Sequence, residues 1–329
     1  MVTIKDIAEM AGVSRTTVSR VLNNSGYVSE DARKRVEKVI EETSYAPSEH
    51  AKSLRTKKTK VIGVILPTIQ TETPSRIVTG LGKELSENGY QILLANTNLD
   101  KAKELEYLEL LRLRQVDGIV LIATNTESEL LDKIKTLNIP VVIVGQEVEE
   151  DIMYVTYDDY HAARDLTSLL IQRGHSKIAF IGVDEADRSV GYLRKKGFLD
   201  EMKASGLTVE PEWVQKAIFN INSGHHAMEN ILSKAVDTPT ATIAVTDRLA
   251  IGAMSYLREN GIGIPDQMAI AGFGASEMSQ YLIPSLTTID YQNEMAGEEA
   301  AKQLLAKLHS KKYQEQIILS YRLLVRDSV

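Results

Sequence analysis

The 329-residue sequence contains no cysteine. Disulfides and thiolate metal sites are therefore excluded, which fits a reducing compartment. Long apolar runs are also missing. No segment approaches the roughly 18 apolar residues of a membrane span, and MVTIKDIAEM at the N-terminus has no apolar signal core. A cytoplasmic location without a membrane partner is expected. Catalytic signatures are equally scarce. No G-x-G-x-x-G follows the first expected strand, and no G-K-[ST] phosphate loop or G-x-S-x-G elbow is present. The histidines, His50, His161, His175, His225, His226 and His309, show no zinc-motif spacing to a carboxylate, and the GHH run reads as a helix start. Tyr157-Asp158-Asp159 could pair two carboxylates, but neighbours on a strand point to opposite faces. One Asp capping a helix that begins near Tyr160 accounts for the run better. The chain is expected to be no enzyme and to carry no cofactor or metal.

Charge is present but unevenly placed. Residues 1–60 hold 12 Lys and Arg against 8 Asp and Glu, a balance of +4, while the remainder holds 26 against 37, or −11. The sum is the net −7 of the whole chain. A small basic head on an acidic body points to an anionic polymer at one end only.

The head reads as three short helices. Thr3 can cap a first helix over residues 4–10, with Ile4, Ile7, Ala8 and Ala11 on one buried face and Gly12 ending it. Ser14 caps a second that buries Val18, Val21 and Leu22 and presents Arg15, Thr16, Thr17, Ser19 and Arg20 outward. A third spans about residues 30–43, with Ala32, Val36, Val39 and Ile40 closing the core. This is a helix-turn-helix with a supporting helix. The outward face of the second helix has no acid and offers the hydroxyls and guanidiniums that bond phosphates and base edges.

Beyond it, Pro47 can open a short helix over residues 48–54, followed by a basic tether at Lys57, Lys58 and Lys60. Leu54, apolar at the end of a polar helix, suits a minor-groove wedge. From residue 61, seven apolar runs alternate with amphipathic segments: VIGVILP, YQILLANTN, GIVLIAT, PVVIVGQ, KIAFIGV, ATIAVTD and MAIAGFG. Such uniformly apolar strands belong to parallel sheets covered on both faces. Their number exceeds one core, so two doubly wound α/β lobes are expected. A ligand in such sheets sits beyond the carboxyl ends of the strands, near Thr68, Gln70, Gln146, Asp158, Asp247 and Gly274.

These motifs resemble the lactose-repressor and galactose-repressor family of bacterial transcription regulators. The likeness runs from Thr3 to the end, carried by the head and by VDGIVLIA, RGHSKIAFIG, RKKGF, TDRLAIGAM, GIPDQMAIAGF and IPSLTTID in family order. It implies a DNA-binding domain over residues 1–46, a hinge over 47–60, and a periplasmic-binding-protein-type effector and dimerisation domain over 61–329. The implied assembly is a homodimer or larger on a pseudo-palindromic operator, repressing a sugar-utilisation operon under control of a small sugar. Arg15, Thr16 and Arg20 fall on base-reading positions. Thr3, Ser14, Thr17, Ser19, Asn23, Tyr27 and Tyr45 fall on phosphate-holding ones, and Ala51 and Leu54 on the hinge. His50 departs from the small or aliphatic residue usual there. In the cleft, Arg194 matches a sugar-hydroxyl ligand, Phe219 an aromatic wall, Asp247 a polar contact and Tyr291 a cleft-facing position. Gly145-Gln146 and Gly274 stand where the family often has aspartates. The chain is also similar to the trehalose-operon repressor group, whose phosphate-binding arginines are replaced here by Thr68 and Gln146. A neutral sugar is therefore expected as effector, with a sugar phosphate as runner-up. Inducer and corepressor would use the same parts. An α/β sugar-binding or sugar-processing protein, the different-class alternative, would need a signal peptide or catalytic residues.

Overall fold

The computed structural model describes residues 2–45, 58–148, 151–234 and 237–329. The expected hinge helix, with Pro47, His50, Ala51 and Leu54, lies outside the described residues. The chain divides into two compact units, Met1–Thr59 and Lys60–Val329.

The first unit contains α1 (Ile4–Ala11), α2 (Arg15–Leu22) and α3 (Glu30–Thr43). Thr3 and Asp6 form a reciprocal capping box at the start of α1, and Gly12 ends it in the left-handed conformation at φ 63°. Ser14 accepts the Thr17 amide at 3.1 Å to cap α2. Short helices of this kind are marginal alone. Ile7, Ala8, Ala11, Val18, Val21, Val36 and Val39 join them into one core.

In the second unit a first run comprises β1 (Val61–Leu66), α4 (Glu72–Glu87), β2 (Gln91–Asn96), α5 (Lys101–Leu113), β3 (Gly118–Ile122), α6 (Ser128–Thr136), β4 (Val141–Val144) and β5 (Met153–Tyr157). A second run follows: α7 (Asp159–Gln172), β6 (Ile178–Gly182), α8 (Arg194–Ala204), β7 (Val214–Lys216), α9 (Ile221–Lys234), β8 (Ala241–Ala244), α10 (Asp247–Glu259), β9 (Ala269–Phe273), α11 (Glu277–Tyr281) and β10 (Thr287–Asp290). The chain then returns through α12 (Asn293–Leu308) and β11 (Gln316–Leu319) and ends with β12 (Arg322–Leu324). The sheet orders are β11-β5-β4-β3-β1-β2 and β12-β10-β9-β8-β6-β7, the same pattern twice. Every pairing is parallel except β10 with β12.

Two differences from the sequence reading have physical causes. Strands β5, β7, β10, β11 and β12 fall outside the seven apolar runs because MYVTY and TTID carry Thr and Tyr, VQK is short, and the edge strands QIIL and RLL are partly exposed. The run YQILLANTN is not covered on both faces: β2 is an edge strand, with Leu93 41% and Leu94 49% exposed.

Close helix approach locks each lobe. A Cβ on Gly80 would lie 1.9 Å from the Glu294 carbonyl oxygen, and one on Gly297 2.0 Å from that of Ile77, so α4 and α12 meet backbone to backbone. The same reciprocal device joins α9 and α10, where Gly224 faces the Leu249 carbonyl and Gly252 that of Ile221. The chain passes between lobes three times, at 157–159, 290–293 and 319–322, and these crossings bring the carboxyl ends of both sheets together.

Candidate functional site

In the head, Arg15, Thr16 and Arg20 are exposed on one helix with no acid among them. Tyr27 is 87% exposed. The Thr3 hydroxyl bonds Asp6, the Ser14 and Thr17 hydroxyls bond each other at 2.9 Å, and the Asn23 amide donates to the Ser19 carbonyl and hydroxyl. Tyr45 packs against the three-helix core. Ala51 and Leu54 fall outside the described residues.

The body holds a cavity of about 340 Å³ between the carboxyl ends of the two sheets. Thr68, Gln70, Gln146, Arg194, Phe219, Asp247 and Tyr291 all line it, together with Ile77, Ile122, Tyr157 and Phe273. Except for Ile77, inside α4, each ends or follows a strand or opens a helix, the place where parallel sheets leave backbone free to meet a ligand.

Its floor is built around a buried cation. Arg194, the first residue of α8, donates from Nε to Asp159 Oδ1 at 2.6 Å and from Nη1 to the Val245 carbonyl at 2.5 Å. The guanidinium lies 4.8 Å from the Phe273 ring centroid and 4.9 Å from that of Tyr291. Tyr291 in turn donates to Asp159 Oδ1 at 2.7 Å. Burial works against the Arg194 charge, but the adjacent Asp159 carboxylate outweighs it and holds the pKa above the ordinary arginine value. Burial also raises the phenol pKa values of Tyr157 and Tyr291. Across the crossing, Tyr157 donates to Asn293 Oδ1 at 2.7 Å.

Several polar groups join the lobes across the cavity. Gln146, 1% exposed, donates to Asp187 Oδ1 at 2.9 Å and accepts the Ser189 amide at 3.2 Å. Arg248 donates to the Gln70 carbonyl, Arg76 to that of Ala275, and the Glu277 amide to Glu72. Asp247 accepts the Thr288 hydroxyl and the Ser276 amide, both at 2.6 Å. Burial raises the carboxyl pKa values of both Asp187 and Asp247. Among the described residues, five that line the cavity keep a buried polar atom without a hydrogen-bond partner: Asp159 Oδ2, Ser189 Oγ, Arg248 Nε, Ser276 Oγ and Asn293 Nδ2. Unsatisfied buried polar atoms are uncommon in native proteins, and here they converge where a polar ligand would supply the missing bonds.

The structure corrects several expectations. Asp158 is not among the cavity-lining residues; it caps α7 by accepting the His161 amide, and Asp159 carries the ion pair. Adjacent carboxylates thus divide between a cap and a core. The GHH run does not start a helix, since α9 begins three residues earlier at Ile221. Besides Arg194, a second cation, Arg248, lines the cavity. Asp159, Asp187, Asn293 and Arg248 were missed as cavity residues. Arg248 directly follows Asp247 at a helix start and was within reach of the sequence, whereas Asp187 enters only through the loop before α8.

A helix-turn-helix unit joined to a two-lobed α/β body with an interlobe cavity defines the class of effector-controlled DNA-binding regulators. Residues 3–48 match the model for bacterial regulatory proteins of the lacI family, and residues 167–329 match that for a periplasmic binding protein-like domain. The chain is 32% identical to the HTH-type transcriptional regulator RegA of Clostridium saccharobutylicum, covering 99% of this chain and 98% of that protein. It is 31% identical to the HTH-type transcriptional repressor PurR of Haemophilus influenzae, covering 100% and 99%. The solved structure of the transcriptional regulator CelR in complex with cellobiose matches with TM-score 0.76 at 28% identity, covering 100% of both chains. The chain belongs to the lacI family and is a DNA-binding transcriptional repressor with an effector-binding body. Among the described residues, no helix is long and apolar enough to cross a membrane.

The geometry gives Arg194 a structural role. An arginine free to bond ligand would leave the fold untouched when removed, but here removal strands Asp159 as a buried, unpaired charge. Arg194→Ala is expected to destabilise the body by about 3–5 kcal/mol. Replacing both partners by leucine should recover most of that loss. Denaturant unfolding of the two variants checks it; an Arg194→Ala midpoint equal to the parent's would dismiss the structural role.

Proposed function

We propose that this repressor is controlled by a neutral sugar of disaccharide size, held in the interlobe cavity and coupled to operator binding by a homodimer. The carrying observation is the charge balance of the cavity wall. Among the described residues, Glu72, Asp159, Asp187 and Asp247 line it against Arg194 and Arg248; Arg194 is already neutralised by Asp159, and Glu72 pairs with Arg76 at 3.0 Å. A phosphate needs paired charged donors and would meet an excess of carboxyls. A neutral polyol asks only for hydrogen bonds and an apolar ring face, which Phe219, Tyr157 and Phe273 offer. The CelR–cellobiose complex supports a neutral disaccharide. The relatives named PurR favour a second reading, a purine-type ligand stacked on the same aromatic wall.

In this reading Thr68, Gln70, Phe219 and Tyr291 contact the effector. Gln146 and Asp247 act partly by holding the cavity wall, because their side chains are already bonded within the protein. Residues 61–329 serve as effector and dimerisation domain, 1–46 as DNA-binding domain and 47–60 as the linker between them. Arg15, Thr16 and Arg20 read bases, the polar groups around them hold phosphates, and Ala51 and Leu54 belong to the hinge. Effector changes the balance between open and closed lobes, and the dimer passes that change to its paired heads. Its sign follows from which lobe arrangement the operator-bound dimer prefers.

Three measurements test the proposal. Calorimetry should show a neutral disaccharide binding at least tenfold more tightly than its phosphorylated form. Tighter binding of the phosphate defeats the charge argument, and binding of a purine alone establishes the second reading. On operator DNA, Arg20→Ala is expected to cost about 1–3 kcal/mol while binding to random DNA hardly changes; equal losses on both would make Arg20 a phosphate contact. The exposed Leu93, Leu94, Leu110 and Leu113 of the first lobe are assigned to the face covered by the second copy. Leu94→Asp should therefore sediment as a monomer with weakened operator binding, and a variant that stays dimeric rules out that face.

A further inference from the structure

Outside the cavity, the histidine pair on α9 stands out, because the fold gives it partners that its spacing in the sequence did not reveal. A ring nitrogen of His225, a ring nitrogen of His226 and a carboxylate oxygen of Glu229 lie within 4.8 Å of one another. The reciprocal glycines between α9 and α10 fix the two backbones, so His225 meets Glu259 at the far end of α10. The Nε2–Oε2 distance is 2.9 Å, and the other Glu259 oxygen accepts the Ser255 hydroxyl at 2.9 Å. A carboxylate oxygen only accepts, so the hydrogen of this bond sits on His225 Nε2, and in the neutral ring Nδ1 is then the atom with a lone pair to offer. That Nδ1 atom is buried and has no hydrogen-bond partner among the described residues.

We infer that His225, His226 and Glu229 form a binding site for a divalent transition-metal ion of the zinc class. His226 Nδ1 and Glu229 Oε2 are 3.2 Å apart. Two ligand atoms on a tetrahedral zinc, each at about 2.0–2.2 Å, stand roughly 3.4 Å apart, so this pair already has the spacing of one edge of such a site. Glu259 on the opposite nitrogen of His225 is the carboxylate partner that ligating histidines ordinarily have, orienting the ring and raising its basicity. An edge-on contact with Tyr256, ring centroids 5.2 Å apart, also positions the His225 ring. His226 and Glu229 are exposed, leaving a side open to a water ligand. Two imidazoles and one carboxylate favour zinc over magnesium, which prefers an all-oxygen shell.

The test is calorimetric titration of the full, untagged chain with zinc alone and with magnesium alone. One equivalent of zinc is expected to bind with micromolar affinity, and magnesium should not bind. His226→Ala and Glu229→Gln should each weaken zinc at least tenfold, with circular dichroism confirming an unchanged fold. Glu259→Gln, acting only through His225, should weaken it about 10–100-fold. Absence of zinc binding at millimolar concentration, or equal affinity in the parent and the His226→Ala/Glu229→Gln double variant, would overturn the assignment.

Discussion

The ion pair between Arg194 and Asp159 is the constraint around which the body is organised. Neither charge can reach water, and each is tolerable only while the other is present. The pair ties the first residues of α7 and α8 to the end of β8 through the Val245 carbonyl, and to the β10–α12 crossing through Tyr291. Three elements and one crossing thereby share a fixed point directly beneath the cavity. A ligand seated above it meets a floor that cannot move without exposing an unpaired charge, so movement between the lobes has to come from the cavity walls.

Those walls are built for such movement. Each lobe is stiffened by a helix pair whose glycines allow backbone contact, Gly80 with Gly297 in one and Gly224 with Gly252 in the other. Across the cavity the lobes are linked by a few hydrogen bonds: Gln146 with Asp187 and the Ser189 amide, Arg248 to the Gln70 carbonyl, Arg76 to that of Ala275, and the Glu277 amide to Glu72. A hydrogen bond contributes about 0.5–1.5 kcal/mol, or about 1.5–3 kcal/mol where one partner is charged. A ligand that satisfies the unpartnered atoms of Ser189, Ser276 and Asn293 can therefore compete with them on equal terms. Rigid lobes joined by weak links are what a two-position regulator requires.

The same division explains which site residues were legible. Thr68, Gln70 and Gln146 follow apolar runs and Asp247 opens a helix directly after one, so the rule that ligands sit at carboxyl strand ends was enough to place them at the cavity. Arg194, Phe219 and Tyr291 are positions that the family resemblance implies, and they also line it. Asp187 had no such marker: it lies in the loop before α8 and reaches the cavity only because Gln146 comes to meet it from the other lobe.

Local signals in this chain determined local structure. Thr3, Ser14 and Ser29 cap the helices of the head, and apolar runs mark seven strands, because capping and burial periodicity act over a few residues. They also placed a basic, acid-free helix face at one end and an acidic α/β body behind it. What only the tertiary structure decided was how each polar group is employed. Asp158 and Asp159 are neighbours of the same type, yet one caps a helix at the surface and the other neutralises a buried arginine 35 positions away. A side chain's role follows from its partners and its distance from water, and both are set by packing between segments remote in sequence.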